Sequence, residues 1–314
     1  MHTDNYIYSF NYNHNESELC KLESRHIFNK EEKNKLLFSN IKAEPSSSAF
    51  IKKRFDIIFS ADDYAVLLEQ IEKERIHTNS FKVEYLVLDG DPTEYADRLK
   101  KLKDVGYRIE GIPEYYKPKT TYSLCFHNGV WYFGLLNKDD FDWHKHKQKP
   151  FSYSNSINVS VAKALINIAT QANKERKLID ACCGVGTIML EACFSGNNIE
   201  GCDINWKVCR QARANLAHFD YSATVYRSDI KDISDRYDAA IIDLPYNLFS
   251  HADDNTLLHI IESSAEITNR LVIVSTTDIA AIIDKSGLDI ADYCTVTKQN
   301  KTTFERKIWV CEKK

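Results

Sequence analysis

The sequence predicts two domains: an N-terminal α+β domain over residues 1–137 and, beyond a linker at 138–149, an α/β domain over 150–314 built on a mostly parallel sheet. Three observations carry that expectation. From residue 177 onward, strand-like runs recur (KLIDA, NNIEGCDI, ATVYRSD, DAAIIDL, RLVIVST, ERKIWVC), with helical stretches between the early ones. The first of them leads into LIDACCGVGTIMLEA, residues 178–192, where an acid and two glycines join a strand to a helix. In the first half, YSLCFHNGVWYFGLL, residues 122–136, is a pair of apolar runs around Asn128-Gly129, which can take the positive φ of a tight hairpin turn.

The remaining elements follow in order. Residues 6–12 read as a strand, and 16–28 as a helix with Leu19, Leu22 and Ile27 at helical spacing. A loop at EPSSS precedes the strand FIKKRFDIIF and the helix DDYAVLLEQIEKE, for which Asp62 or Asp63 is the cap. FKVEYLVL at 81–88 alternates as a half-buried strand, DGDPTE turns the chain, and YADRLKKLKDVG is a helix ending at Gly106. The polar, aromatic and basic stretch 138–158 has no clear period and reads as a linker that partly packs on the following domain, which opens with the amphipathic helix VSVAKALINIATQAN.

Composition narrows the function classes. The chain has 314 residues, 43% of them hydrophobic, which is enough to bury two cores. No run of eighteen apolar residues occurs, and the N-terminus lacks a basic region followed by an apolar one, so a cytoplasmic protein with no membrane association is expected. The nine cysteines are odd in number and unpaired in spacing, which suits free thiols. A net charge of −4 argues against broad nonspecific nucleic-acid binding while leaving room for a local basic face, such as WHKHKQK or KQNKTTFERK, although each of these reads more readily as a solvated surface. His144 and His146 have no third ligand nearby, and no metal is expected.

The glycine loop carries the chemistry. Gly184 and Gly186 let a ligand approach the backbone, and the following helix offers free N–H groups. A dinucleotide fingerprint would want a third small residue where Met189 stands, and has no use for Asp180 ahead of the glycines. A cofactor with an ammonium group does, and S-adenosyl-L-methionine has one. Cys182 lies within the same loop and is counted with the cofactor-binding residues. One strand-plus-helix unit further on, Asp203 is placed to accept from ribose hydroxyls, and after another unit Asp229 from an adenine amino group, with Ile204 and Ile230 as apolar walls. Any one of these acids could equally be a helix cap; three at successive strand ends beside a glycine loop are harder to dismiss. At the next strand end, DLPY offers Asp243 and a backbone carbonyl to the two hydrogens of an exocyclic base amine, Pro245 to stiffen the bend, and Tyr246 to stack on a base.

With these residues in view, residues 150–314 resemble class I S-adenosylmethionine-dependent amino-methyltransferases whose motif reads Asp/Asn-Pro-Pro-Tyr. The stretch KPFSYSNSINVSVAKALINIA is similar to the lead-in segment of THUMP-associated tRNA guanosine-N2 methyltransferases, including those acting at tRNA position ten. The resemblance implies a Rossmann-like methyltransferase sheet, preceded by a ferredoxin-like piece and a reduced THUMP-like module that binds RNA. It assigns Asp180, Gly184 and Gly186 to the methionine end, with Ser154 and Ser156 beside it, Asp203 to ribose, Asp229 to adenine, and Asp243, Pro245 and Tyr246 to catalysis. The implied activity is methylation of guanosine N2 in tRNA. This chain departs from the motif at Leu244, which stands in place of its first proline. Two other readings stay open: a DNA methyltransferase acting on adenine N6 or cytosine N4, and an RNA-binding module without turnover.

Overall fold

The computed structural model describes residues 4–154, 156–245, 253–299 and 303–314, and they fall into two compact units. The first unit comprises residues 1–11, 32–45 and 51–139, the second 12–31, 46–50 and 140–314. The contiguous division drawn from the sequence is thus redrawn: residues 12–31 and 46–50 belong with the second half of the chain.

The first unit is a seven-stranded sheet built from β1 (Tyr6–Phe10), β2 (Leu36–Ser39), β3 (Ile51–Ala61), β4 (His77–Tyr85), β5 (Glu110–Pro113), β6 (Thr120–His127) and β7 (Val130–Lys138), in spatial order β2-β1-β3-β7-β6-β4-β5. The predicted hairpin is β6–β7, with Asn128 and Gly129 at φ 50° and 84° in its turn. Helix α2 (Tyr64–Glu74; α1 belongs to the second unit) is capped by Asp63, whose carboxylate accepts from the Ala65 and Val66 N–H groups. With α3 (Tyr95–Gly106) it covers one face: Leu67, Ile71 and Val105 pack on Phe81, Leu124 and Phe133. Strand β4 starts four residues before the expected 81 and ends at Tyr85. β2 and β5 have no counterpart in the sequence reading, because each is four residues long and β5 is exposed throughout, so neither shows a hydrophobic period.

The second unit holds the sheet that positions the site. Its strands are β8 (Lys177–Asp180), β9 (Asn198–Asp203), β10 (Thr224–Arg227), β11 (Ala239–Asp243), β12 (Arg270–Ser275), β13 (Leu288–Gln299) and β14 (Thr303–Lys313). They are ordered β10-β9-β8-β11-β12-β14-β13. The first five run parallel, and β14 and β13 close the edge antiparallel. Alternate side chains face opposite layers, as strand geometry requires. Ile179, Ala240, Ile242, Leu271 and Ile273 join a core with Leu257 and Ile261 of α7 (Asp254–Ile267) and Ile282 and Ile283 of α8 (Ala280–Lys285). Helix α4 (Val159–Thr170), capped by Asn158 and buried along nearly its whole length, packs against β11 and β12. α5 (Thr187–Phe194) and α6 (Trp206–His218) pack against β9.

Helix α1 (Ser17–Phe28) is part of this unit, lying against α4 and β13. Arg25 grips the Asp292 carboxylate with two hydrogen bonds of 2.8 Å, and buried Asn167 donates to Glu23 at 2.7 Å.

The supposed linker is also more than a connector. Residues Asp142–Gln148 form a 3-10 helix whose Trp143 and His146 are buried, so WHKHKQK is not simply a solvated face. The His146 ring bonds through Nδ1 to the Glu191 carboxylate and through Nε2 to the Tyr221 hydroxyl, 3.0 Å away. Lys163 Nζ lies 3.6 Å from the other Glu191 oxygen, and the side chains of His146, Glu191 and Lys163 are all 0% exposed. Three polar side chains thus share one dry pocket between the 3-10 helix, α4 and α5.

Candidate active site

Strands β8 and β11 are parallel neighbours, with Ile241 opposite Asp180. The chain runs outward from β8 through β9 to β10 and then returns to β11, so strand order reverses between β8 and β11. A crevice beyond the carboxyl ends of these strands is where an open α/β sheet takes its ligand. Asp180 ends β8 and Asp243 ends β11.

Both acids are poorly satisfied. Asp180 is 1% exposed, and among the described residues neither of its carboxylate oxygens meets a donor in bonding geometry; the nearby Cys182 N–H favours its charge. Burial, reinforced by the charges of Asp243 and Asp203, holds its carboxyl well above the usual range. Burial lifts Asp243 to about 7 against the opposing pull of Arg306, and its Oδ1 also has no hydrogen-bond partner among the described residues. The Thr187 hydroxyl, at the start of α5, is a third buried group without one. Buried polar groups left open in this way fit a ligand that brings positive charge and donors of its own.

The glycine loop follows from its residue types. Gly184 and Gly186 sit at φ 51° and 77°, and a β-carbon on Gly186 would come within 3.2 Å of the Ala212 methyl. Met189 occupies the place of a third glycine in a dinucleotide loop. Its bulk is accommodated from the other side: a β-carbon on Gly201 of β9 would fall 2.5 Å from the Met189 sulfur. Asp203 fastens the loop, accepting from the Gly184 N–H at 3.1 Å and from the Asn205 N–H at 2.8 Å. Burial raises its carboxyl, and those two N–H groups oppose the rise.

Two adjoining cavities open here. Asp180, Cys182, Gly184, Ser156, Thr187 and Asp243 line the smaller. The larger shares Ser156, Cys182, Gly184 and Asp243 with it and adds Asp203, Leu244 and Pro245, among others. Tyr153, which the sequence reading passed over, also lines the larger one. Gly186 lines neither cavity. Ile204, Ile230 and Asp229 are also not among the residues that line these cavities. Ile204 is 72% exposed, and Ile230 is buried in the sheet core. Asp229 caps the 3-10 turn 230–232 through the Lys231 N–H and faces His259 at 3.5 Å, the role of a turn acid. Tyr246 lies outside the described residues. Ser154 lines neither cavity.

The departure at Leu244 has a physical reason. Its N–H donates to the Val274 carbonyl at 3.0 Å, extending the β11–β12 ladder by a bond that proline could not make, and its side chain is buried in the core. The basic run near the C-terminus is likewise not uniformly surface: Arg306 is buried and donates to the Ser156 carbonyl at 3.4 Å.

Asp180 and Asp243 have a consequence for stability. A carboxyl raised above its unfolded value contributes stability that is full below the unfolded pKa and is lost as pH rises through the folded one. The ligand-free protein should therefore melt at a lower temperature at pH 8 than at pH 6, and a calorimetric scan at the two values checks it. Asp243→Asn should reduce that difference.

A family model described as "RMKL-like, methyltransferase domain" matches residues 146–270. The tRNA (guanine(10)-N2)-dimethyltransferase of Methanothermobacter thermautotrophicus is 30% identical over 117 residues, 36% of this chain and 34% of that protein. Its counterpart from Methanocaldococcus jannaschii is 22% identical over 232 residues, 68% of this chain and 65% of its own length. The chain thus spans less than two thirds of either relative. Among solved structures, TrmN from Thermus thermophilus aligns over 98% of this chain and 99% of its own at 15% identity, with a TM-score of 0.48. The match and the sheet fall on the same part of the chain: the second unit has a Rossmann-like, mostly parallel sheet with reversed strand order, and its residues 146–270 are similar to the RMKL-like methyltransferase domain.

Proposed function

We propose that this chain transfers a methyl group from S-adenosyl-L-methionine to N2 of a guanosine in tRNA. The observation that carries the reading is the pair of buried acids at the ends of neighbouring strands, Asp180 beside the glycine loop and Asp243 beside Pro245, facing one crevice with bonding capacity to spare. The activity named for the two archaeal relatives supports the choice of tRNA and of guanosine N2.

When bound, S-adenosylmethionine supplies a methyl group on a positively charged sulfur, so no metal or covalent enzyme intermediate is required. On this reading Asp180 accepts from the donor's ammonium group and Asp203 from its ribose. Asp243 and the carbonyl of Leu244 or Pro245 hold the two hydrogens of the base amine, turning the nitrogen lone pair toward the methyl. As the N–C bond forms and the S–C bond breaks, the nitrogen becomes more acidic and its proton passes to Asp243. A carboxylate with a pKa near 7 is better suited to that than one near 4, because a general base works best close to the operating pH. The target nucleoside must leave its stack to enter the crevice. Tyr246 as a stacking face, the first unit as an RNA-binding, THUMP-like module, and a cytoplasmic location belong to the same proposal.

The test is transfer of labelled methyl from the donor to unmodified tRNA transcripts, followed by nucleoside mass spectrometry. N2-methyl- or N2,N2-dimethylguanosine is the expected product. Label recovered only in adenosine, or only in a duplex DNA control, would overturn the choice of base and substrate.

A further inference from the structure

Residue Asn215, on α6, has its side chain fully buried and fully occupied. Its Oδ1 accepts from the Phe151 N–H at 2.9 Å, and its Nδ2 donates to the Phe151 and Val185 carbonyls, each at 2.9 Å. Phe151 opens the segment that carries Tyr153 and Ser156 to the cavity wall, while Val185 lies between the two glycines of the loop. One amide therefore joins the two chain segments that enclose the crevice from opposite sides. The Phe151 ring is only partly buried, at 37% exposure, so its backbone rather than its side chain is what is held.

One turn earlier on α6, Gln211 accepts a 2.7 Å hydrogen bond from the Tyr153 hydroxyl. That bond sets the ring beside Asp203 and Val208 on the wall of the larger cavity. At the far end of the segment, Arg306 holds the Ser156 carbonyl, and the Ser156 N–H bonds to the Tyr153 carbonyl at 3.0 Å. The Tyr153 ring is 43% exposed, a flat face with a pinned hydroxyl.

We propose that Asn215 is a positioning residue of the donor site: it fixes the strap that begins at Phe151 and carries Tyr153 against the glycine loop, so that the ring of Tyr153 walls the adenosine end of the bound donor. The proposal rests on the donor reading above. Asn215 touches no reacting atom, and its effect reaches the ligand through Tyr153 and the loop. An aspartate at 215 would keep the bond from the Phe151 N–H, lose both donors, and set a carboxylate oxygen against two carbonyls. Loosening the strap should therefore weaken donor binding and leave the acceptor side alone.

Isothermal calorimetry with S-adenosylhomocysteine and steady-state kinetics on full-length protein test this. Asn215→Ala and Asn215→Asp, checked for a folded fraction by thermal melting, should raise Kd at least about tenfold. Donor KM should rise in step, while kcat and tRNA KM stay within about twofold. Because Asn215 is buried and its variants can fail to fold, Tyr153→Ala and Gln211→Leu at the rim provide a second route, with Kd expected to rise about tenfold and threefold. A Kd within twofold of wild type in Tyr153→Ala, or in a folded Asn215 variant, would overturn the proposal. A fall in kcat with unchanged donor KM would show a merely structural role. Wild-type protein that binds no S-adenosylhomocysteine would remove the donor reading itself, and the proposal with it.

Discussion

Replacing Asp243 by alanine should lower kcat on tRNA by about 100- to 1000-fold, in the range that loss of a general base costs. The melting temperature should not fall. Asp243 is buried, its carboxyl is pushed up to about 7 by that burial against the weaker pull of Arg306, and its Oδ1 has no hydrogen-bond partner among the described residues, so its removal relieves more desolvation than it loses in attraction. Loss of activity in a protein at least as stable as the parent separates a functional acid from a structural one. The rate on wild-type protein should rise with pH through the neutral range as the carboxylate forms. The positive sulfur of the bound donor should shift that rise to lower pH than in the free enzyme. Asp243→Asn, which keeps one oxygen acceptor and cannot titrate, should lose this pH dependence while retaining more activity than alanine. Retention of more than about a tenth of wild-type kcat by Asp243→Ala would sink the assignment.

The second large effect is on stability. Glu191→Ala should destabilise the protein by about 3–5 kcal/mol, the usual cost of removing one partner from a buried ionic pair. His146 and Lys163 both face Glu191 in a pocket with no exposure, and its loss leaves two polar side chains without their carboxylate. For a domain of this size the fall in melting temperature should be roughly 6–20 °C. Replacing His146, Lys163 and Glu191 together by apolar residues of similar volume should recover much of the loss, because the expense lies in the uncompensated polar groups and not in the absence of the pair. A shift in urea midpoint equivalent to less than about 1 kcal/mol for Glu191→Ala would show that water reaches the pocket.

The parts of this molecule legible from its sequence are those fixed by short stretches of chain. The Asn128-Gly129 hairpin, the glycine loop and the acids closing β8 and β11 each follow from a handful of neighbouring residues whose stereochemistry leaves few alternatives. Features decided by distant partners were not legible. His146 sits in a run of lysines and histidines, and only Glu191, 45 residues on, makes it an interior residue. Nothing near Asn215 distinguishes it from a surface amide, because its partners lie 64 and 30 residues away. Asp229 shows the converse: position in a series of strand-end acids suggests a ligand contact, whereas its partners among the described residues, the Lys231 N–H and His259, are those of a turn acid. Strand β13 went unread because its apolar positions follow no clean alternation; its register slips between Ile290 and Asp292 as it pairs with β14.

The allegiance of α1 constrains how this chain can come together. Residues 12–31 emerge early in synthesis, yet the α4 and β13 surfaces against which α1 packs are encoded more than a hundred residues downstream. Until the last strands exist, Arg25 has no Asp292 and Asn167 has a helix but no closed sheet beneath it. The second unit is thus completed only when residues 12–31 and β13 are both present, and a gene fragment beginning at residue 150 would encode that unit without one of its own walls.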